Sequence, residues 1–263
     1  MVQTLRKPEI INIARREGRV TVEGLVSYFG VTPQTIRRDL TELAEAGQLE
    51  RVHGGAILPS TTVNIGYAER RDLNQSAKVD IARMCARAIP NDSSVFLNIG
   101  TTTEAVAREL LLHEGLLVVT NNVNIATILS ANPNVEVIVT GGNLRRSDGG
   151  LVGDLAAHTI RQFRFDYAVI GCSALHEGGD ILDFDVQEVS VSQTIIQHSD
   201  HVFLVADASK YERKAPARIA SLEDVDVFYT DRSPPPRSVE RCAAAGTTVV
   251  IAAHPDLSEG GGA

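Results

Sequence analysis

The segment richest in chemistry is SVFLNIGTTTEAVAREL, residues 94–110. Its first half is an apolar, β-branched run, and a helical pattern starts directly after Gly100. Gly100, Thr101, Thr102 and Thr103 therefore lie where a strand leads into a helix N-terminus, whose backbone N–H groups and dipole attract phosphate. We predict an anion site at this turn. The chain then either converts a phosphorylated metabolite or only senses one.

Other polar residues follow other predicted strands. Asn121 and Asn122 end an apolar run, and they either direct amides at ligand hydroxyls or cap the next helix. Gly141 and Gly142 either allow a ligand close to the backbone or form a plain turn. Lys210 follows a later strand and offers a point charge that suits a phosphate. These residues extend the predicted ligand site.

An alternation of strands and helices fills the chain after residue 78. Helical patterns lie between most of the apolar, β-branched runs, which is typical of an open, mostly parallel α/β sheet. The carboxyl ends of parallel strands share one edge of such a sheet, where ligands bind. The predicted strands are residues 95–99, 116–120, 135–140, 167–171, 201–206, 225–230 and 247–252.

The first 58 residues follow a different pattern. Three short helices are predicted, the first over residues 6–17, the second after an N-cap at Thr21, and the third after Thr32-Pro33. Glycine follows each helix, as a left-handed C-cap requires. The run LERVHGGAIL, residues 49–58, then indicates a hairpin around Gly54-Gly55. This order predicts a winged helix-turn-helix.

The third helix has an apolar face and a polar face. Apolar residues recur from Ile36 to Ala44 at helical spacing, which turns the polar residues of the first turns outward. Arginine and glutamine are the side chains that make bidentate contacts with guanine and adenine in the major groove. The bland alternative is a three-helix bundle with a solvated basic face. The predicted DNA-contacting residues are Thr32, Gln34, Thr35, Arg37, Arg38, Thr41, Arg51 and His53.

Composition sets broad limits on the class of protein. The chain has 263 residues and a net charge of −8, yet its first 60 residues carry +1, so a small DNA-reading head on an acidic body is compatible with the overall charge. No apolar run approaches the roughly 18 residues of a membrane span, and the N-terminus lacks a signal-peptide pattern. Three scattered cysteines favour reduced thiols. We expect a cytoplasmic protein.

Metal and thiol chemistry are not predicted. His198 and His201 stand three residues apart without a third ligand, so we expect ordinary histidines and no metal. Cys172 follows an apolar strand and is expected to be buried packing rather than a nucleophile. No cofactor and no catalytic residue are predicted from these positions.

The run PQTIRRDLTELAEAG followed by HGGA resembles the DeoR family of bacterial transcriptional regulators. The resemblance continues through NIGTTTEAVA, VTNNVNIA, GGNLRRSDGG, QFRFDYAVIG, FDVQEV, DASK and YTDRSPPP, and it covers nearly the whole chain. It implies a winged helix-turn-helix and a C-terminal domain that senses sugar phosphates. Within the family, the nearest likeness is to members that respond to glycerol 3-phosphate. Asn98 departs from the acidic residue that the family often has before the Gly-Thr-Thr loop.

The C-terminal part also resembles the fold shared by ribose-5-phosphate isomerase and CoA transferases. NIGTTTEAVA is similar to the isomerase phosphate loop, and HVFLVADASK to a strand whose terminal lysine holds the phosphate, here Lys210. Isomerisation needs a carboxylate base. The positions that match the isomerase acids hold Ile170, Ser173 and Ala174, whereas Glu188 and Asp207 remain. The resemblance implies a ligand site that keeps its phosphate contacts without the isomerase chemistry.

We therefore expect a repressor that leaves operator DNA when a sugar phosphate binds. An isomerase-like enzyme with an appended DNA-binding head, or a regulator of another sugar pathway, is the alternative. Symmetric operators imply a homodimer or homotetramer. The expected boundaries are a DNA-binding domain at 1–58, an irregular linker at 59–77, a sensor domain at 78–252 and a tail at 253–263. Glu69, Arg70 and Arg71 of the linker either relay the ligand state or are only solvated charges.

Overall fold

The computed structural model describes residues 3–17, 19–58 and 66–252, which form two compact units. The smaller unit holds the described residues up to 58 together with Ala68–Leu73, and the larger unit holds residues 66–67 and 74–252. The predicted tail at 253–263 and the predicted glycine stop at residue 18 lie outside the described residues.

The part of the smaller unit that precedes residue 59 contains three helices and three short strands. The predicted caps are confirmed, because Thr21 and Thr32 accept backbone N–H groups from the first turns of the second and third helices, and Gly30 takes the left-handed conformation that ends the second. In chain order the elements are α1 (Gln3–Glu17), β1 (Arg19–Thr21), α2 (Val22–Phe29), α3 (Pro33–Glu45), β2 (Glu50–Val52) and β3 (Gly55–Ile57).

The predicted hairpin is present, and a third strand joins it. β3 pairs antiparallel with β2 on one side and with β1 on the other, so the wing is a three-stranded sheet. Three residues of β1 are too few for a periodic signal, and the sequence analysis missed them. Ile10, Ile36 and Leu40 fill the core of this unit, and each fully buried side chain of this size stabilises the fold by about 1.5–3 kcal/mol.

The segment predicted as an irregular linker is helical where it is described. α4 covers Tyr67–Asp72 and α5 covers Gln75–Arg87, so the prediction of irregular structure is wrong at 67–72 and 75–77. Asn74 stands between the two helices with φ of 52°, a left-handed conformation that asparagine tolerates better than most residues. The remaining linker residues, 59–65, lie outside the described ranges.

The larger unit contains the seven-stranded parallel sheet that the alternating pattern predicts. All seven predicted strands occur in it. Its strands are β4 (Ser94–Leu97), β5 (Leu116–Thr120), β6 (Val135–Val139), β9 (Phe165–Ile170), β12 (Ser199–Val205), β14 (Val227–Thr230) and β15 (Thr248–Ile251). Its helices after α5 are α6 (Thr101–Glu109), α7 (Val123–Leu129), α8 (Asp154–Ile160), α9 (Val186–Gln197) and α10 (Pro236–Ala245).

Strand order places a crevice at the middle of the sheet. The order is β15-β14-β12-β9-β4-β5-β6, so the chain builds outward from β4 in one direction and later from β9 in the other. Alternate side chains of β4 enter two apolar layers, with Val95 and Leu97 packing under α5, α6 and α7, and Phe96 under α8, α9 and α10. The carboxyl ends of β4 and β9 therefore form a topological switch point, where ligands bind in open α/β sheets.

Two smaller antiparallel sheets, which the sequence analysis did not predict, border this edge. One is the hairpin of β7 (Asn143–Arg145) and β8 (Gly150–Val152), and the other joins β10 (Ala174–Leu175), β11 (Asp180–Asp183) and β13 (Ala217–Ser221). Every helix in the described ranges is too short or too polar to cross a bilayer.

Candidate functional site

The outward face of α3 carries the residues that the helical pattern assigns to it. Gln34, Arg37 and Arg38 are exposed in the first turns. The Arg38 guanidinium lies 2.8 Å from a Glu42 carboxylate oxygen one turn later, an arrangement that holds the arginine along the helix surface. The Thr41 hydroxyl donates to the Arg37 carbonyl oxygen over 2.9 Å, so its hydrogen is engaged within the helix.

Thr32 and Thr35 form the cap of α3. The Thr35 backbone N–H donates to the Thr32 hydroxyl over 3.3 Å, and the two hydroxyls are 2.9 Å apart. Both hydroxyls thus stabilise the helix start, and a contact with DNA at either residue stays a prediction. The buried ion pair between Arg6 and Asp39 joins α1 to the inner face of α3.

A cleft of about 750 Å³ opens between α2, α3 and the wing, and its charged lining is mainly basic. Arg37 and Arg51 both line this cleft. Partial burial, and then the Arg37 charge, lower the pKa of Arg51 from its ordinary value. The Nη1 atom of Arg51 has no hydrogen-bond partner. Two guanidinium groups in the lining of one cleft suit an anion such as a backbone phosphate, and a contact with DNA at either arginine stays a prediction.

Arg19 also lines this cleft, and the sequence analysis missed it. Its guanidinium donates to the His53 carbonyl oxygen at the wing turn over 3.1 Å and lies 2.5 Å from a Glu69 carboxylate oxygen on α4. Arg19 lies at this position because β1 pairs with β3. The residues around Arg19 in the sequence do not indicate this long-range pairing. The sequence leaves open whether Glu69 relays the ligand state or is only a solvated charge. In the structure, Glu69 forms an ion pair with Arg19.

In the larger unit, the predicted anion loop lies at the switch point. Gly100 precedes α6 with φ of 153°, and the Thr103 hydroxyl donates to the Gly100 carbonyl oxygen over 2.8 Å. Thr102 and Thr103 are buried, whereas Thr101 is half-buried. A Cβ added to Gly171 at the end of β9 would lie 3.9 Å from the Thr103 methyl group. The loop after β4 and the end of β9 are therefore neighbours.

Asp207 and Lys210 follow the next strand, β12. Burial raises the pKa of Asp207, but the Lys210 charge and the donors of Ser209 and Asn74 outweigh it and hold that pKa below its ordinary range. Asn74 Nδ2 is 2.9 Å from Asp207 Oδ1. Lys78 of α5 is buried and also acts electrostatically on Asp207. Two lysines thus bring positive charge to this part of the edge, and Lys78 was missed because only the fold brings α5 to β12.

Glu188 lies near the start of α9 within a buried ionic cluster. Its carboxylate is 2.7 Å from the Arg145 guanidinium, which also contacts Asp148 at 2.7 Å and Asp185 at 2.9 Å. Burial, with a contribution from the charge of Asp183, raises the pKa of Glu188 to about 7. The cluster has more carboxylates than cations, so it offers hydrogen-bond acceptors to the hydroxyl groups of a ligand.

The side-chain amide of Asn98 is engaged in hydrogen bonds within the protein. Asn98 Nδ2 donates to the Ser192 hydroxyl over 2.8 Å, and Oδ1 accepts the Ile99 backbone N–H over 2.7 Å. The side chain is 1% exposed. Asn98 therefore connects the end of β4 to α9, one turn beyond Glu188.

The structure gives a role within the protein to some of the remaining predicted ligand residues and not to others. Asn122 caps α7 by accepting the Asn124 backbone N–H over 2.9 Å. Asn121 is fully buried and its Oδ1 has no partner, which leaves an acceptor at the end of β5. A Cβ on Gly142 would lie 2.7 Å from the Val152 carbonyl oxygen, and one on Gly141 would touch Leu155 at an ordinary 3.5 Å. Close packing of the protein itself requires glycine at Gly142, and ligand contact there stays a prediction.

Glu104 is a buried acid that the sequence analysis did not select. Its side chain lies in the first turn of α6 and is 1% exposed. One carboxylate oxygen accepts from Asn122 and Asn124 over 3.1 and 3.0 Å, and the other accepts from the Tyr67 hydroxyl over 2.8 Å. Its sequence signal was an acid directly after the anion loop, which by itself reads as an ordinary helix N-terminal residue.

His198, His201 and Cys172 each contact other parts of the larger unit. The ring N–H at Nδ1 of His198 donates to the Thr194 carbonyl oxygen over 2.9 Å where α9 ends, and His201 stacks on Tyr167. Cys172 packs against an apolar core cluster, and burial raises the pKa of its thiol to about 12. Within residues 3–17, 19–58 and 66–252, no His, Cys, Asp and Glu cluster has the arrangement of a metal site.

Two family comparisons divide the chain as the structure does. Residues 6–62 match the DeoR-like helix-turn-helix domain, and residues 73–232 match the DeoR C terminal sensor domain. The chain belongs to the DeoR family. The predicted family is confirmed, and so is the predicted combination of a DNA-binding head with an α/β sensor domain.

Curated relatives of this DeoR-family chain are transcriptional repressors. The glycerol-3-phosphate regulon repressor of Escherichia coli (strain K12) is 46% identical over 91% of this chain and 94% of its own length. That of Haemophilus influenzae is 44% identical over 89% and 91%. The HTH-type transcriptional repressor CsqR of Escherichia coli is 37% identical over 88% of both chains. The chain is thus a DNA-binding repressor of the DeoR type and not an enzyme.

Two solved structures resemble about half of this chain weakly. A ribose 5-phosphate isomerase from Methanocaldococcus jannaschii is 11% identical with a TM-score of 0.40, over 52% of this chain and 55% of its own. The eIF2B beta subunit from Chaetomium thermophilum is 15% identical with a TM-score of 0.44, over 59% and 48%. Likeness at this level supports no conclusion about ligand or activity.

Proposed function

We propose that this DeoR-family repressor controls a glycerol 3-phosphate regulon and leaves its operator when a sugar phosphate, foremost glycerol 3-phosphate, binds the larger unit. The supporting observation is the arrangement at the carboxyl ends of β4, β9 and β12. There the Gly100 loop leads into the N-terminus of α6 beside the end of β9, and Lys210 supplies a positive charge. The names of the relatives supply the choice of glycerol 3-phosphate among sugar phosphates.

The two parts of the ligand would meet different surroundings. The phosphate would take the helix N-terminus and Lys210, because backbone N–H groups and a lysine ammonium complement a compact anion. The hydroxyl groups would donate to the acceptors of Glu188, Asp207 and Asn121. The carboxylates of Glu188 and Asp207 serve here as hydrogen-bond acceptors for a ligand that is released unchanged.

The DNA-reading role belongs to the smaller unit. Gln34 and Arg38 would read base edges from α3, while Arg37, Arg51 and His53 would contact phosphates from the cleft and the wing. A symmetric operator requires at least two heads, so we propose a homodimer or homotetramer that works in the cytoplasm, where operator DNA is accessible.

Thermal unfolding of the full chain with a panel of sugar phosphates tests the proposed effector. A ligand at 100 times its Kd stabilises the native state by about 2.7 kcal/mol, which raises the unfolding midpoint. We expect glycerol 3-phosphate to give the largest shift and inorganic phosphate a smaller one. A larger shift with another sugar phosphate would indicate that the repressor regulates another sugar pathway. The absence of any shift would refute the effector site.

A further inference from the structure

The hydrogen bonds around Glu104 form a continuous connection from the candidate effector site to Tyr67. Glu104 accepts from the Tyr67 hydroxyl at one carboxylate oxygen and from Asn124 at the other. Asn124 Nδ2 also reaches the Asp148 carbonyl oxygen at 3.0 Å, and the Asp148 carboxylate pairs with Arg145, the partner of Glu188. All of these residues belong to the larger unit.

Tyr67 has a special place in the chain. It opens α4, and it belongs to the larger unit, whereas the residues directly after it, Ala68–Leu73, belong to the smaller unit. The backbone therefore runs directly from Tyr67 into a segment that belongs to the same unit as the DNA-binding head. In the smaller unit, Glu69 of this segment pairs with Arg19 at the cleft that Arg37 and Arg51 line.

Glu104 is placed to register a bound anion. Its carboxylate lies in the first turn of α6, directly after the loop where the phosphate is proposed to bind, and it is 1% exposed. Like charges that share a helix end away from water repel each other strongly. A phosphate that binds at this end changes the electrostatic energy of the Glu104 carboxylate. The relative strengths of the hydrogen bonds that this carboxylate accepts from Asn122, Asn124 and Tyr67 therefore change as well.

We propose that Tyr67 is the positioning residue that conveys effector binding from Glu104 to the DNA-binding head. The inference rests on the proposed effector site. It requires that the Tyr67 hydroxyl matter more for the coupling between the two ligands than for the binding of either one, because coupling is a free energy separate from both affinities.

The test compares Tyr67→Phe with the parent and with Tyr167→Phe in the full chain. Tyr167 is a matched control, since its ring packs against His201 and Phe203 at the start of β9, at the opposite edge of the sheet from the ligand site. Operator Kd is measured by fluorescence anisotropy without and with saturating glycerol 3-phosphate. Binding of glycerol 3-phosphate itself is measured by calorimetry.

In the parent and in Tyr167→Phe, we expect the effector to raise operator Kd by about 5–150-fold, the usual range of such couplings. In Tyr67→Phe, this factor should fall below about threefold, while both separate affinities stay within about threefold of the parent. Glu104→Gln should reduce the coupling as well, and the double variant should lose no more than the stronger single variant, because residues of one network are not additive.

Three results would overturn the proposal, and they are distinguishable. If Tyr67→Phe releases DNA like the parent, the relay is wrong and the effector site stands. If Tyr67→Phe loses effector binding together with release, Tyr67 has only a structural role. If the parent binds neither glycerol 3-phosphate nor inorganic phosphate, the proposed effector site is wrong, and the relay falls with it.

Discussion

The Glu188 carboxylate and the Arg145 guanidinium lie 2.7 Å apart, one on α9 and the other on the hairpin of β7 and β8. The contact ties a loop that follows the edge strand β6 to the helix that borders the switch point. It brings together two residues 43 positions apart, at an edge where Asp148, Asp183 and Asp185 add further negative charge.

This surrounding makes stability depend on pH through Glu188. Burial raises its pKa to about 7 in the folded chain, against about 4.3 when unfolded. Between these values the folded state holds a proton that the unfolded state has lost, so the free energy of unfolding falls as pH rises through the window and levels off above it. Relative to Glu188→Gln, the parent should lose on the order of 2–3 kcal/mol between pH 4.5 and 7.5.

Denaturant unfolding at a series of pH values measures this difference. Glu240→Gln on α10 is the matched control, since this glutamate is exposed, and its profile should follow that of the parent. Parallel profiles for the parent and Glu188→Gln would show that Glu188 is not perturbed in this way.

Arg38 should carry sequence discrimination. Arg38→Ala should weaken operator binding by about 1–3 kcal/mol for a lost bidentate contact. Arg38→Lys keeps the charge without the planar fork, so it should lose base preference while retaining binding to unrelated duplexes. Anisotropy titrations on the operator and on single-base variants measure both effects. Equal operator affinity in Arg38→Ala and the parent would contradict the assignment of α3 as the recognition helix.

Arg51 should act differently, because it lines the cleft rather than the outward face of α3. Arg51→Gln should weaken binding to every duplex by a similar factor and reduce the slope of log K against log salt by about 1, as expected for one lost phosphate contact. Titrations at several salt concentrations give the slope. A loss confined to certain bases, with an unchanged slope, would identify Arg51 as a base contact instead.

Lys210 should hold the effector phosphate. Lys210→Gln should lower the affinity for glycerol 3-phosphate by 10-fold or more, on the order of the 1.5–3 kcal/mol of a hydrogen bond to a charged group. Lys214→Gln removes the same charge from an exposed side chain four residues away and should bind like the parent. Calorimetric titration separates the two variants, and equal affinities for both would exclude Lys210 from the site.

Local signals predicted much of this fold. Periodicity gave all seven strands of the parallel sheet, and the Thr21, Thr32 and Gly30 caps followed from residue type, because capping is decided within a few residues. α4 escaped prediction because six residues with a polar surface carry a weak periodic signal.

The site was only partly predictable, for a physical reason. The Gly100 loop and Lys210 follow from strand ends and from resemblance. Glu104, Lys78 and Arg19 take their surroundings from residues that the fold brings from far along the chain, such as Tyr67 for Glu104 and His53 for Arg19. The residues that precede and follow an acid or a lysine in the sequence do not show whether the fold will bury its side chain.

Anisotropy of a labelled operator duplex measures directly whether a sugar phosphate releases this repressor from its operator. A duplex selected from a random pool by the full chain is labelled, and its anisotropy is followed as glycerol 3-phosphate is added. We expect operator Kd to rise by about 5–150-fold at saturation, with little change for glycerol, which lacks the phosphate. An operator Kd unchanged by glycerol 3-phosphate and by every other sugar phosphate of the panel would contradict the account.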